Sequence, residues 1–287
     1  MAENGTVVIA LDGGEHSRAT LDWGLKEADL RGADVLLVRC WQEPFEISPW
    51  GYYPATGDWG FGEEAQRYLE MEQARAVAER PGRRVAARLV QGPAVPALRQ
   101  AAAGAQLLVV GACSLRTGDR LGGIASHLAA HAPASVAVVR QQMREAHAPV
   151  LVGVDGSATS FVAARDAARE AELRDAPLVV LHARRTVADP YGTRTPPPAA
   201  VGPQDPVRAA ADALADELRT AHPDLQVDVE LVDDDPAHAL VERSKDAGLV
   251  VVGCRGLDAF RGMLLGSVSH EVLRRAACPV LVAREAS

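Results

Sequence analysis

Residues 150–160, VLVGVDGSATS, decide the fold, because a near copy of them opens the chain. Residues 7–17, VVIALDGGEHS, show the same apolar run followed by Asp-Gly, 143 positions earlier. A second pair, AQLLVVG at 105–111 and AGLVVVG at 247–253, repeats at an offset of 142. In a chain of 287 residues, repeats at about half the length indicate two copies of one domain.

Short apolar runs alternate with longer helix-favouring segments in both copies, which predicts parallel sheets covered by helices on both faces. We therefore predict an α/β fold: two similar doubly wound, five-stranded, Rossmann-like domains in tandem. A polar joint near residue 145 divides them into 1–145 and 146–287. The predicted strands are 6–11, 34–40, 84–90, 106–110, 135–139, 149–154, 178–183, 226–232, 249–252 and 280–283, and the predicted helices are 17–31, 63–79, 94–103, 123–131, 160–174, 206–221, 237–246 and 267–276.

Composition excludes several classes of partner. Lysine and arginine number 30 against 38 for aspartate and glutamate, so the net charge is −8 and bulk attraction to nucleic acid is disfavoured. No apolar run reaches the ~18–20 residues that span a bilayer, and the N-terminus lacks the basic region of a signal peptide. The four cysteines form no C-x-x-C pair, as is typical of reduced cytosolic thiols. We expect a cytoplasmic protein with no membrane and no nucleic acid as partner.

Two groups of polar and glycine residues follow strands of the second copy, where ligands of open parallel sheets bind. DGS at 155–157 follows its first strand, and GCRG at 253–256 follows its fourth. Nine residues separate Gly256 from Gly266-Ser267, which opens a predicted helix. Glycines let backbone amides approach an anion, and a helix N-terminus attracts it. This pattern predicts a phosphate cradle, although it is neither a Walker A loop nor a G-x-G-x-x-G fingerprint.

These motifs resemble the universal stress protein family in its tandem two-domain form. The resemblance covers nearly the whole chain and rests on DGSATS at 155–160, on G-x2-G-x9-G-S from 253 to 267 and on AACPVLV at 276–282. It implies a stress-response regulator that binds ATP, with Mg²⁺ accompanying the triphosphate. The implied binding residues are Asp155, Gly156, Ser157, Gly253, Arg255, Gly256, Gly266, Ser267, Val268 and Ser269.

The family habit also implies an antiparallel pairing of the last strands, 135–139 with 279–282, which would join the two domains as an intrachain pseudo-dimer. A homodimer of such chains is compatible with the sequence, which names no protein partner.

The first copy departs from the motif. Gly111 is present, but Ser114 replaces the second glycine, and the loop is two residues shorter when Gly122-Gly123 is aligned with Gly266-Ser267. The sequence therefore leaves open whether this copy binds nucleotide. Its weaker candidate residues are Asp12, Gly13, Gly111, Ser114, Gly122, Gly123 and Ser126.

No catalytic residue and no metal ligand set is predicted. The sequence shows no Ser-His-Asp order, no G-x-S-x-G elbow and no H-E-x-x-H motif. We therefore favour a nucleotide-binding regulator. A slow ATPase or nucleotidyl transferase on the same fold stays open, as does an interaction module that binds no nucleotide.

Two segments are interpreted as loops. Residues 41–61 hold seven of the twelve aromatic residues, which either pack on their own domain or cover a pocket or partner surface. Residues 190–206 contain six prolines and are predicted to form an exposed connector before a helix.

Overall fold

The computed structural model describes residues 5–14, 16–42, 45–48, 51–54, 60–112, 121–140, 147–183, 206–256 and 265–284, with backbone only at 45–48, 51–54 and 206–208. The chain separates into two compact units. The first comprises residues 1–128 and 132–134, and the second comprises 129–131 and 135–287. The predicted connector at 190–206 falls outside the described residues except for its last position.

Helices and strands alternate along the chain, as the apolar pattern predicts. Up to residue 131 the elements are β1 (Thr6–Ala10), α1 (Ser17–Arg31), β2 (Asp34–Trp41), β3 (Phe45–Ser48), β4 (Gly51–Pro54), α2 (Phe61–Glu79), β5 (Val85–Gln91), α3 (Ala94–Ala101), β6 (Leu107–Gly111) and α4 (Gly123–His131). After it come β7 (Val136–Val139), β8 (Val150–Gly153), α5 (Ala158–Arg174), β9 (Leu178–Ala183), α6 (Pro206–Ala221), β10 (Val227–Val232), α7 (Pro236–Arg243), β11 (Leu249–Gly253), α8 (Ser267–Arg275) and β12 (Val280–Ala283).

Each unit has a parallel sheet in which the strand order reverses. In the first unit the order is β5-β2-β1-β6, and every neighbouring pair is parallel. In the second, β10-β9-β8-β11-β12 is likewise parallel. The order therefore switches between β1 and β6 and between β8 and β11, where such sheets open a crevice at the strand ends. The α/β fold predicted from the sequence is confirmed.

The second unit carries one antiparallel addition. Strand β7 pairs with β12, with Ala137 opposite Leu281 and Val136 opposite Val282. This is the pairing of last strands that the resemblance implied. Strand β7 is the fifth strand of the first repeat in sequence, and it belongs to the second compact unit.

Small residues set the distance between helix and sheet. On α5, five alanines have no exposed surface, and their short side chains let the helix lie close to β8 and β11. On α1, a Cβ added at Gly24 would lie 2.6 Å from the side chain of Ile9, so this position also requires close approach. The five alanines are Ala163, Ala164, Ala167, Ala168 and Ala171.

The same buried ion pair occurs in both repeats. Glu27 and Arg31 pair on α1, and Glu170 and Arg174 pair on α5 at an offset of 143. The side chains of both glutamates are at most 3% exposed. A buried carboxylate needs a cation or hydrogen bonds to offset its desolvation.

One prediction, that residues 41–61 form a loop throughout, is wrong. Strands β3 and β4 pair antiparallel within it, with Phe45 opposite Pro54 and Ser48 opposite Gly51. Aromatic and β-branched residues favour extended backbone, and two residues separate the strands along the chain. The side chains of these strands lie outside the described residues, as do both Trp50 and Trp59.

Serine is a common N-cap, but Ser17, at the start of the predicted helix 17–31, does not cap α1. His16 occupies that position without a side-chain cap, and Ser17 is the first helical residue. The hydroxyl of Ser17 instead accepts hydrogen bonds from the amides of Asp12 and Gly13, at 3.1 and 2.9 Å. The Ser17 hydroxyl therefore stabilises the turn after β1 and does not cap α1.

Three consecutive aspartates, at 233–235, directly precede α7. Asp235 is the N-cap and accepts from the amides of Ala237 and His238, at 3.0 and 3.2 Å.

Asp235→Ala is expected to lower the free energy of unfolding by about 1 kcal/mol, because two helix amides lose their acceptor. Urea denaturation measures this, with the exposed turn residue Asp224→Ala as control. Equal destabilisation by both variants would contradict the capping role.

Candidate functional site

The candidate site lies at the carboxyl end of β8, where the chain turns into α5. The amide of Ser157 donates to Asp155 Oδ1 at 2.9 Å, which closes the turn. Gly156 has a φ of +85°, a conformation that favours glycine. Ser157 is the N-cap of α5 and accepts from the amide of Ser160. The DGS motif thus fixes the direction of the Asp155 carboxylate.

Gly256 of the second motif lies against this carboxylate, and Gly266 lies against Gly256. A Cβ added at Gly256 would lie 2.5 Å from Asp155 Oδ2. A Cβ added at Gly266 would lie 3.5 Å from the amide nitrogen of Gly256. The two halves of G-x2-G-x9-G therefore converge, although residues 257–264 between them lie outside the described part.

Gly253 has a different reason to be glycine. Its added Cβ would lie 2.9 Å from the backbone oxygen of Thr159 in the first turn of α5. The hydroxyl of Thr159 also donates to the carbonyl oxygen of Arg255. These contacts hold the chain at Gly253 and Arg255 against the first turn of α5. Sequence reasoning missed Thr159, whose only signal was its place after DGS.

The N-terminus of α8 completes the site. Gly266 is its N-cap, and the amide of Gly266 donates to the carbonyl of Cys254 at 2.9 Å. The first-turn amides of Ser267 and Val268 have no carbonyl one turn earlier, as in any helix, and the helix dipole adds positive potential there. Arg255 is exposed and has no ion pair with the described residues.

Ser269 is placed differently from the other hydroxyl of this turn. Its Oγ donates to the carbonyl of Gly253 at 2.7 Å, and the residue is 6% exposed. This hydrogen bond uses the hydroxyl proton of Ser269 and holds α8 against β11. Of the two serines, Ser267 is the exposed one.

The first repeat has a related but altered arrangement. Asp12 Oδ1 accepts from the hydroxyl of Ser17 at 2.6 Å and from the amide of Gly14 at 2.8 Å. The amide of Gly122 donates to the carbonyl of Ala112 at 2.7 Å, which matches the bond from Gly266 to Cys254 and supports that alignment. Ser126 lies in the first turn of α4, where its amide donates to the carbonyl of Gly122, and Ser114 lies outside the described residues.

A cation–aromatic pair lies behind this turn. The guanidinium of Arg39 stands 4.6 Å from the ring centroid of Tyr68. A Cβ added at Gly13, whose φ is +74°, would lie 2.0 Å from Arg39 Nη1. Burial raises the pKa of the Tyr68 hydroxyl, so this group is neutral at physiological pH. The positive φ at position 13 favours glycine, and a side chain there would displace the Arg39 guanidinium.

The described residues contain neither a metal-binding cluster nor a helix that could span a membrane. No group of three or more His, Cys, Asp or Glu side chains is placed to hold a metal ion there. No helix in the described ranges has the length and apolar character needed to cross a bilayer.

Two doubly wound repeats, each with an Asp-Gly turn at the switch point, define a tandem Rossmann-like α/β protein. The model of the universal stress protein family matches residues 3–140 and 147–284. The chain belongs to this family, in its tandem form.

Known proteins agree with this placement. A universal stress protein of Mycobacterium tuberculosis is 32% identical and aligns over 97% of this chain and 96% of its own. The crystal structure of a universal stress protein from Archaeoglobus fulgidus covers 98% of this chain and 96% of its own, with a TM-score of 0.70 and 17% identity. A universal stress protein solved in complex with cAMP covers 49% of this chain at 31% identity, with a TM-score of 0.38.

Proposed function

We propose that this protein is a stress-response regulator that binds ATP in its second repeat. The observation that carries the proposal is that Gly256 lies against the Asp155 carboxylate, and Gly266 against Gly256, at the switch point of the sheet. A Cβ at Gly256 would run into the Asp155 carboxylate, so the space between these groups exists only because the residue is glycine.

The residues present fit a nucleotide. Asp155 offers a carboxylate able to accept from a ribose hydroxyl or an adenine amine. The α8 amides after Gly266 and the hydroxyl of Ser267 offer donors to phosphate oxygens, and Arg255 adds a mobile positive charge. ATP supplies a triphosphate whose charge these donors offset, and Mg²⁺ would accompany it. Gly156, Ser157, Gly253, Val268 and Ser269 shape the cradle.

The proposed output is a changed surface for a protein partner. The segment from Cys254 to Gly266 would contact the phosphates, so occupancy of the site alters what that segment presents. In this proposal the protein acts in the cytoplasm, with domains at 1–145 and 146–287, as an intrachain pseudo-dimer that is able to form a homodimer.

Titration calorimetry with nucleotide-free protein tests the proposal. Mg-ATP is expected to bind with about one site per chain, and chelation of Mg²⁺ is expected to weaken binding. Asp155→Ala should lower the affinity at least about tenfold, since hydrogen bonds to a charged group contribute about 1.5–3 kcal/mol. Absence of binding heat together with absence of thermal stabilisation by Mg-ATP would overturn the proposal.

A further inference from the structure

The first unit contains a cavity of about 150 Å³ at the carboxyl ends of β1, β2 and β6. Pockets for drug-sized ligands occupy roughly 300–1,000 Å³, whereas an engineered apolar cavity of about this volume binds benzene. The cavity therefore has room for one or two fused rings.

The walls of the cavity are mostly apolar. Leu11, Leu98 and Val110 are each 3% exposed. They line it together with Val38 and the thiol of Cys40. No lysine or arginine is among the described residues that line it. Walls of this kind penalise a charged ligand and favour an apolar one.

The hydroxyl protons facing the cavity are already used. Ser17 donates to Asp12 Oδ1 at 2.6 Å, and Thr20 donates to the carbonyl of His16 at 3.1 Å. The hydrogen bonds that Asp12 accepts from described residues go to Oδ1. The other carboxylate oxygen, Oδ2, can therefore accept a hydrogen bond at the cavity. A ligand that complements this oxygen carries an O–H or N–H donor.

The helix N-terminus at this cavity also differs from its counterpart in the second repeat. Gly123 and Ala125 stand where Ser267 and Ser269 stand in α8, so both hydroxyls are missing. Ile124 lines the cavity and is 42% exposed, which makes this side of the mouth apolar. Among the described residues that line the cavity, a phosphate here would face Ile124, the Asp12 carboxylate and His16.

We infer that the first repeat is a separate site for a small neutral aromatic ligand that carries one hydrogen-bond donor, of the size of a phenol or an indole. The donor bonds to Asp12, and the ring fills the space between Leu98 and Val110. This assignment is independent of ATP binding in the second repeat.

Cys40 provides a reporter, because its thiol lines the cavity. Burial raises the pKa of the Cys40 thiol, so alkylation by iodoacetamide is best followed at pH 9. The rate at each cysteine is read by peptide mass spectrometry. Indole is expected to protect Cys40 while leaving Cys254, in the second unit, unchanged.

The probe series tests the hydrogen bond. Quinoline is a fused aromatic bicycle one ring atom larger, and its ring nitrogen only accepts. Indole is expected to half-protect Cys40 at a concentration at least about tenfold lower than quinoline, since a bond to a charged acceptor discriminates to that extent. ATP is expected to give no protection. Protection by ATP but not by indole, equal protection by indole and quinoline, or no protection by any probe would each overturn the inference.

Asp12→Asn sharpens the test. Asparagine keeps an oxygen for Ser17 and the amide of Gly14, and places an NH₂ donor where the second carboxylate oxygen was. The preference should reverse, with quinoline protecting better than indole. The exposed Asp224→Asn is the control and should keep the original preference. If Asp12→Asn fails to fold in a thermal melt, the comparison of indole with quinoline on the unaltered protein decides.

Discussion

Replacing Gly256 by glutamate is expected to lower the affinity for ATP at least about 100-fold, because a like charge against a bound anion costs several kcal/mol. The new Cβ alone would lie 2.5 Å from Asp155 Oδ2, so the loop has to shift before the carboxylate is accommodated. Calorimetry with Mg-ATP measures the loss. Gly256→Ala should show a smaller loss, since it adds the clash without the charge.

An added glutamate elsewhere controls for net charge. Ala210 is exposed on α6 of the same unit, and Ala210→Glu should leave ATP affinity within about twofold, because exposed charges are well screened. Unchanged affinity in Gly256→Glu, with both variants folded, would remove this loop from the binding site.

Arg174→Met is expected to lower the free energy of unfolding by about 3 kcal/mol, because it leaves the Glu170 carboxylate buried without its cation. The side chain of Glu170 is 3% exposed and that of Arg174 is 15% exposed. Denaturation in urea, followed by circular dichroism, measures the change.

The same helix offers a matched control. Arg165 pairs with Glu217 at 2.8 Å, with side chains 61% and 56% exposed. Arg165→Met should cost less than about 1 kcal/mol, as is usual for exposed pairs. Similar costs for the two variants would show that burial does not set the strength of the pair at Glu170.

The sequence predicted the strands and helices of both repeats well because these elements depend on local pattern. Buried parallel strands such as Leu249–Gly253 are continuous β-branched and apolar runs, and the 143-residue repeat tests each assignment twice. The convergence of Asp155 with the glycine loop also followed, since the carboxyl ends of parallel strands share one edge of a sheet.

The sequence did not predict contacts between side chains and backbone groups that are distant along the chain. Gly253 faces Thr159, and Ser269 donates to Gly253, so two residues of the motif serve packing as well. Ser17 is a second example. Its hydroxyl could have bonded either to the first-turn amides of α1 or to the turn after β1, and in the structure it bonds to that turn. The hairpin β3–β4 was missed because its aromatic residues were interpreted as loop contacts.

The most direct test of the central claim is the nucleotide content of the protein as isolated. Freshly purified chains are denatured, and the released adenine nucleotides are quantified by chromatography. Our account predicts about one ATP per chain, bound in the second repeat and lost from Gly256→Glu. Protein that releases no adenine nucleotide, and that gains no thermal stability from Mg-ATP, would contradict it.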